Sequence, residues 1–289
     1  MRLPGGWRAW PAVAGAALAL AAAPSAAAAA SADVAALQAA LSARGTYAGN
    51  VDGLAGPETA RAVSAFQRRA GLTVDGVAGP QTRRALGRVG RHPYGSRVML
   101  ERMVGWDVAV LQFELESHGF PCAGVDGGYG SHTTAAVSRA QAHYGLPVDG
   151  AAGLATWRAL RAPPARSPLR VLRPVDAPIG DRYGPRGAGW HPGLDFPAPF
   201  GTPVHAAASG RVVAAGAIGG GYGNAVILQH ELDVRTLYAH LSSVAVVPGA
   251  TVAAGALIGR VGATGHATGP HLHFEVIVRG ANVDPLGAL

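Results

Sequence analysis

The sequence of 289 residues contains one cysteine, Cys122. A lone thiol forms no intramolecular disulfide and no thiolate-based zinc site, so stability must come from packed cores and any metal must be held by His and carboxylates. Cys122 is also a poor candidate nucleophile, because it stands in a repeat whose other copy has Ala48 at that position. Charged residues are few, at 14% of the chain. The formal charge of +7 and pI near 10.3 come almost wholly from arginine spread without any dense basic run. That balance favours an anionic partner. An aromatic-interleaved basic motif and a recognition helix are both missing, which argues against nucleic acid. Beyond the N-terminal region no apolar segment is long enough to cross a bilayer. What is present, 49% hydrophobic residues with 42 Gly and 21 Pro, fits a globular, loop-punctuated chain with room for two or three small domains.

Arg2 and Arg8 precede an Ala-rich apolar stretch from about Pro11 to Ala23 and the small-residue run Ser25 to Ala32. This is the pattern of a cleaved export signal over 1–30, with an uncleaved anchor as the alternative. No Cys follows the stretch, which argues against a lipid-modified start. The expectation is a secreted, soluble monomer with no stable membrane association once the signal is removed.

The chain matches itself without gaps from Val34 on Val108 through Leu86 on Leu160, an offset of 74 residues. Leu37, Gln38 and Leu41 fall on Leu111, Gln112 and Leu115; Val51-Asp52-Gly53 falls on Val125-Asp126-Gly127; Val74-Asp75-Gly76 falls on Val148-Asp149-Gly150. Apolar residues recur at helical spacing in Val34 to Leu41 and in Ala62, Val63 and Phe66, and Asp-Gly turns separate the helical stretches. A three-helix module used twice is the natural reading, over 31–87 and 107–161. Segments 88–106 and 162–171 carry Pro, Gly and Arg and read as semi-extended spacers.

From residue 172 to 289 the pattern changes to short apolar runs broken by Gly and Pro: Gly210 to Ala215, Asn224 to Gln229, Arg235 to His240, Leu257 to Val261 and His271 to Val278. These lengths indicate an all-β domain of antiparallel sheets. Three fragments in it carry chemistry. His191-Pro-Gly-Leu-Asp195 places a His and a carboxylate around a turn that can aim both at one point. His271-Leu272-His273 opens a strand, whose period of two puts both imidazoles on one face about 6.5 to 7 Å apart. Tyr238-Ala239-His240 ends another strand. Hydrolytic zinc favours three His or carboxylate ligands and leaves a fourth position for water.

The repeat resembles the three-helix peptidoglycan-binding modules. The first copy has the whole pattern: Val51, Asp52, Gly53, Gly56, Thr59, Phe66, Gln67, Val74, Asp75 and Gly76. The second has Ala140 in place of Phe66 and so lacks a core aromatic. The β domain resembles the M23 peptidases of the lysostaphin or LytM type. The resemblance runs through His191 and Asp195, Gly221-Tyr222-Gly223-Asn224, Leu237-Tyr238-Ala239-His240-Leu241, Gly265, and Thr268-Gly269-Pro270-His271-Leu272-His273-Phe274-Glu275. It implies that His191, Asp195 and His273 bind zinc and that His240 and His271 are catalytic, with the division of roles between those two left open. Glu275 shares strand parity with both histidines and could orient a ligand. Tyr183 reads as a packing residue, and His205, His230 and His266 as surface residues.

The sequence thus leads to two small three-helix all-α modules followed by an all-β, antiparallel-sheet domain of M23 type. The implied protein is a zinc endopeptidase cutting peptide bonds of peptidoglycan, with wall as its partner. The alternative from another class is a non-catalytic or autoinhibited wall-binding protein that activates a partner hydrolase. A general extracellular protease is disfavoured by the modules.

Overall fold

The computed structural model describes residues 30–93, 95 and 97–289, so the export signal expected over 1–30 lies, but for its last residue, outside the described part. No helix of the described residues is long and apolar enough to cross a membrane. The first repeat folds into α1 (Ala32–Ala43), α2 (Pro57–Arg69) and α3 (Pro80–Ala85), and the second into α4 (Trp106–Ser117), α5 (Ser131–His143) and α6 (Leu154–Ala159). The spacing of apolar residues selects the buried faces. In α2, Thr59, Ala62, Val63, Phe66 and Gln67 are buried, one stripe of a 3.6-residue period, and Thr133, Ala136, Val137, Ala140 and Gln141 repeat it in α5. Proline opens α2 and α3, where its missing N–H leaves no helical bond unmade.

The polar residues of the repeat are used by the fold itself. Buried Gln67 donates to Asp75 Oδ1 (2.7 Å) and Thr82 Oγ1 (3.0 Å), and its own carbonyl oxygen accepts the Asp75 and Gly76 N–H groups (3.1 and 3.0 Å). Gln38 with Asp52, Gln112 with Asp126 and Gln141 with Asp149 make the same cage, so each module contains it twice. The glycine after each Asp has φ between 68° and 75°, a left-handed turn that a side chain would strain. Ala140 leaves no exposed gap: the second module buries Phe120, at the position of Thr46, against His143 and Tyr144.

The first spacer packs on a module rather than standing free. Met99 is fully buried and bridges to Ala152, Val104 bridges to Gly128, and Arg97 forms a 2.9 Å ion pair with buried Asp107. Residues 97–104 are therefore folded back on the second module. The modules also pack on each other, α1 against α4, with Trp106 donating to Asp33 Oδ1 at 2.7 Å. Their common core reaches Ala281 and Trp190 of the β domain.

The C-terminal part contains β1 (Gly184–Arg186), β2 (Gly189–His191), β3 (Leu194–Pro197), β4 (Pro203–His205), β5 (Gly210–Ile218), β6 (Gly223–Gln229), β7 (Val234–Ala239), β8 (Leu241–Val244), β9 (Thr251–Val252), β10 (Leu257–Val261), β11 (His271–Val278) and β12 (Ala281–Val283). All pairings are antiparallel. The main sheet runs β12-β11-β7-β6-β5-β9, a second runs β4-β10-β8, and β1 with β2 forms a separate hairpin. One edge of β11 pairs with β7; the other is shared by β3 along 271–274 and β12 along 276–278. Leu272, Phe274 and Val276 alternate into a core with Leu194, Phe196 and Tyr238. His271, His273 and Glu275 are thereby turned to the opposite face.

Candidate active site

Strand register brings the chemistry together. His273 lies directly across from Asp195 on one neighbour and from Ala239 on the other, one residue before His240. His191 reaches the same point from the end of β2, because the Pro192-Gly193 turn separates it from β3. That turn packs so close to β11 that a Cβ on Gly193 would lie 2.2 Å from the Phe274 carbonyl oxygen, which accounts for glycine there.

His191 Nε2, Asp195 Oδ1 and His273 Nδ1 form a triangle with sides of 3.1, 2.8 and 3.1 Å. The outer nitrogens determine what faces inward. His191 Nδ1 lies 2.9 Å from the Arg182 carbonyl and His273 Nε2 lies 2.9 Å from Glu275 Oε1, so each outer nitrogen carries a proton and donates it. Two inner imidazole nitrogens and a carboxylate oxygen then point at one another, an arrangement that needs a positive charge, either a proton on His273 Nδ1 or a metal ion. The ligand atoms of a tetrahedral zinc, at about 2.0–2.1 Å from the ion, stand about 3.3 Å apart. The donor set therefore fits such an ion, and these three residues could hold one. Without a metal, a proton on His273 balances the cluster. Burial works to raise the Asp195 carboxyl, but the hydrogen bonds and charges of His191 and His273 outweigh it and hold it well below the usual carboxylate range. Burial works to lower His273, but its bonds to Asp195 and Glu275 lift it to about 9.

His240 and His271 stand beside the triangle with ring centroids 4.7 Å apart. His240 Nδ1 lies 2.8 Å from the Thr264 carbonyl and His271 Nδ1 lies 2.8 Å from the Gly269 carbonyl, which leaves both Nε2 atoms as acceptors. His271 Nε2 is 3.8 Å from Asp195 Oδ1. Burial, more than any neighbour, lowers the pKa of His240 and keeps it neutral. His240 sits at the corner between β7 and β8 with φ 61°, a conformation that is sparsely populated for a residue with a side chain and that clusters at functional sites. All five residues line one groove of about 390 Å³ together with Asp181, Arg186, Tyr222, His266 and Thr268.

The family model described as Peptidase family M23 matches residues 189–285, which contain all five. The chain carries an M23 peptidase domain. The model described as Putative peptidoglycan binding domain matches 30–86 and 105–160, the two helical modules that precede the M23 domain. Over 121 residues the chain is 46% identical to the DD-carboxypeptidase/endopeptidase Mpg of Neisseria meningitidis serogroup B, covering 41% of this chain and 27% of that protein. Over 136 residues it is 40% identical to the peptidoglycan DD-endopeptidase ShyA of Vibrio cholerae, covering 45% and 30%. The chain thus spans under a third of the length of these curated relatives. The catalytic domain of lysostaphin from Staphylococcus simulans is 39% identical over 38% of this chain and 90% of its own, with a TM-score of 0.37.

Several residues of the M23 domain gain parts that their spacing did not announce. Tyr222 Oη donates to Glu275 Oε1 at 2.8 Å, and Asn282 Nδ2 donates to Glu275 Oε2 at 2.6 Å, so the carboxylate behind His273 is fixed from both sides. Tyr222 was legible only as part of a Gly-Tyr-Gly-Asn run, and Asn282 carried no signal. Tyr183 packs edge-on against Trp190, in keeping with a packing residue. His266 is exposed but stands on the rim of the groove, and His230, expected at the surface, is buried.

Proposed function

We propose that this chain is an exported zinc endopeptidase that hydrolyses peptide bonds of bacterial peptidoglycan, held at the wall by its two modules. His191 Nε2, Asp195 Oδ1 and His273 Nδ1 would hold the zinc, and the single observation that carries the reading is the convergence of these three ligand atoms at 2.8 to 3.1 Å from one another. When bound, zinc supplies the Lewis acidity that polarises a peptide carbonyl and acidifies water. The rest belongs to the side chains. His240 and His271, each bonded through Nδ1 to a backbone carbonyl, present Nε2 to the groove; the neutral one takes the proton of the attacking water, and the other, when protonated at Nε2 as well, donates to the developing oxyanion. Glu275 fixes the His273 ring through Nε2, and the Arg182 carbonyl fixes His191 through Nδ1.

Among the described residues no part of the helical modules lines the groove, which supports an open site rather than an occluded one. The names of the two curated relatives favour a cross-link between D-amino acids as the scissile bond. The test incubates purified protein with purified peptidoglycan, alone, with a chelator and as His271→Ala, and identifies released fragments by mass spectrometry. Peptide fragments that vanish with chelator and with the substitution are expected, and their masses name the bond. Zinc binding and wall retention without any cleavage would overturn the enzymatic reading.

A further inference from the structure

The β1–β2 hairpin, which ends in His191, pairs with no other strand. A lone two-stranded hairpin is marginal in water. Trp190 packs on the modules' core, but beside it the hairpin also borders an open cavity of about 700 Å³ lined by Asp52, Leu54, Phe113, Leu160, Pro185 and Trp190. Its support comes from the modules, at equivalent positions of the repeat. Val51 N–H donates to the Gly187 carbonyl at 2.8 Å, and Val125 N–H donates to the Ala188 carbonyl at 2.7 Å. Gly187 N–H in turn donates to Asn50 Oδ1 at 2.8 Å. Gly124, the counterpart of Asn50, lies so close that a Cβ there would stand 2.8 Å from the Ala188 oxygen. The first Val-Asp-Gly turn of each module thus clasps one residue of the hairpin tip.

A second arm leads from the same module to the other histidine. Asn282 N–H donates to the Gly119 carbonyl at 2.9 Å, and a Cβ on Gly119 would lie 1.9 Å from the Asn282 oxygen. The Asn282 side chain holds Glu275, which holds His273 Nε2. Both histidines of the triangle are therefore braced from outside the M23 domain.

We propose that the two helical modules are positioning parts of the active site, holding His191 through the hairpin clasp and His273 through Gly119, Asn282 and Glu275. This rests on the metal reading above. Asn50 and Gly119 are the positioning residues that report it, and their effect extends to a soluble peptide too short to reach either module. A tether alone would not act on such a substrate, because it raises only local concentration at the polymer.

The experiment uses the full chain with Asn50→Ala, Asn50→Asp and Gly119→Ala. Hydrogen exchange of amides 184–191 is measured without metal, zinc release to a chelator is followed after loading, and kcat is measured on a soluble cross-linked peptide. In Asn50→Ala the hairpin amides are expected to exchange on the order of 5- to 10-fold faster, the factor for one lost hydrogen bond. Zinc is expected to leave faster and kcat to fall. Asn50→Asp, which keeps the acceptor oxygen, restores all three, and Gly119→Ala speeds zinc release without needing Asn50. Unchanged exchange and zinc release in folded Asn50→Ala overturn the proposal, as does lost wall retention with both of these unchanged. If Gly119→Ala fails to fold, the Asn50 pair decides alone. If the parent cleaves nothing, the enzymatic reading fails while exchange and zinc release still decide this one.

Discussion

The helical modules and the M23 domain both bury clusters of polar side chains, and the two differ in how those clusters close. In the modules each Gln is surrounded by its own partners: Gln67 gives protons to Asp75 and Thr82 and receives them from two backbone N–H groups, so the cage is satisfied within itself. In the M23 domain the outer nitrogens of His191 and His273 are satisfied, while their inner nitrogens face each other and Asp195, with nothing but an added proton or a metal ion to balance them. A closed network accounts for its residues through folding alone. An open one needs something further, and the chemistry of its lone pairs says that this is a cation.

The strongest way to break the comparison is to remove a corner of the open cluster. Asp195→Ala is expected to bring bound zinc, measured by elemental analysis, and peptide release from the wall below detection while the modules stay folded. His240→Ala or His271→Ala should keep zinc and lose about 10²–10⁴-fold in turnover, the usual worth of a positioned acid or base. If either of these two variants loses the metal instead, the division between ligands and proton-transfer groups is wrong. Glu275→Gln removes the charge behind His273 and one of the acceptors that Tyr222, Asn282 and His273 share, and is expected to weaken zinc affinity by about 10–100-fold, read by chelator competition.

The reverse substitution tests the closed side. Gln67→Leu removes the buried acceptor of the half-exposed Asp75 and Gly76 N–H groups, and is expected to cost about 1–2 kcal/mol in chemical denaturation while zinc content stays at the parent's level. Loss of wall retention without loss of stability would mean that Gln67 serves a ligand rather than the turn.

How much of this could be read from residue order follows the range of the interactions. The helical stripes, the Asp-Gly turns and the shared face of His271, His273 and Glu275 are periodicities of a few residues, and all of them appear in the fold. The cage around each Gln was not legible, since the motif shows which residues recur but not that they bond one another. Three features depend on segments far apart in the chain: the packing of α1 on α4, the clasp of Asn50 and Val125 on the hairpin, and the hold of Asn282 on Glu275. No local spacing encodes these. The Arg, Gly and Pro content of the segment read as a spacer over 88–106 gave no sign, for the same reason, of the burial of Met99 and the ion pair of Arg97 to Asp107.

The smallest expected effect comes from a closed network inside the M23 domain, and it separates closure from location as the deciding property. His230 Nδ1 lies 2.8 Å from the Ser209 carbonyl and Nε2 lies 2.7 Å from Thr236 Oγ1. Thr236 Oγ1 is in turn 2.9 Å from Tyr238 Oη, which accepts the Ala207 N–H. A neutral imbalance-free set results, with one ring nitrogen donating and the other accepting. Burial lowers the pKa of His230 below its ordinary value of 6.5. Below that pH the unfolded chain therefore binds a proton that the folded chain resists, and stability contributed by neutral His230 is lost as pH falls from 6.5 toward the lower folded value. Chemical denaturation at pH 7.5 and about pH 5.5 should show a decline in the parent that is shallower in His230→Gln, whose amide can still both donate and accept. Hydrolysis per zinc-loaded, folded molecule should be unaltered in that variant. An equal decline in both proteins would mean that His230 gains its proton freely and that its network is as open as the one at the metal site.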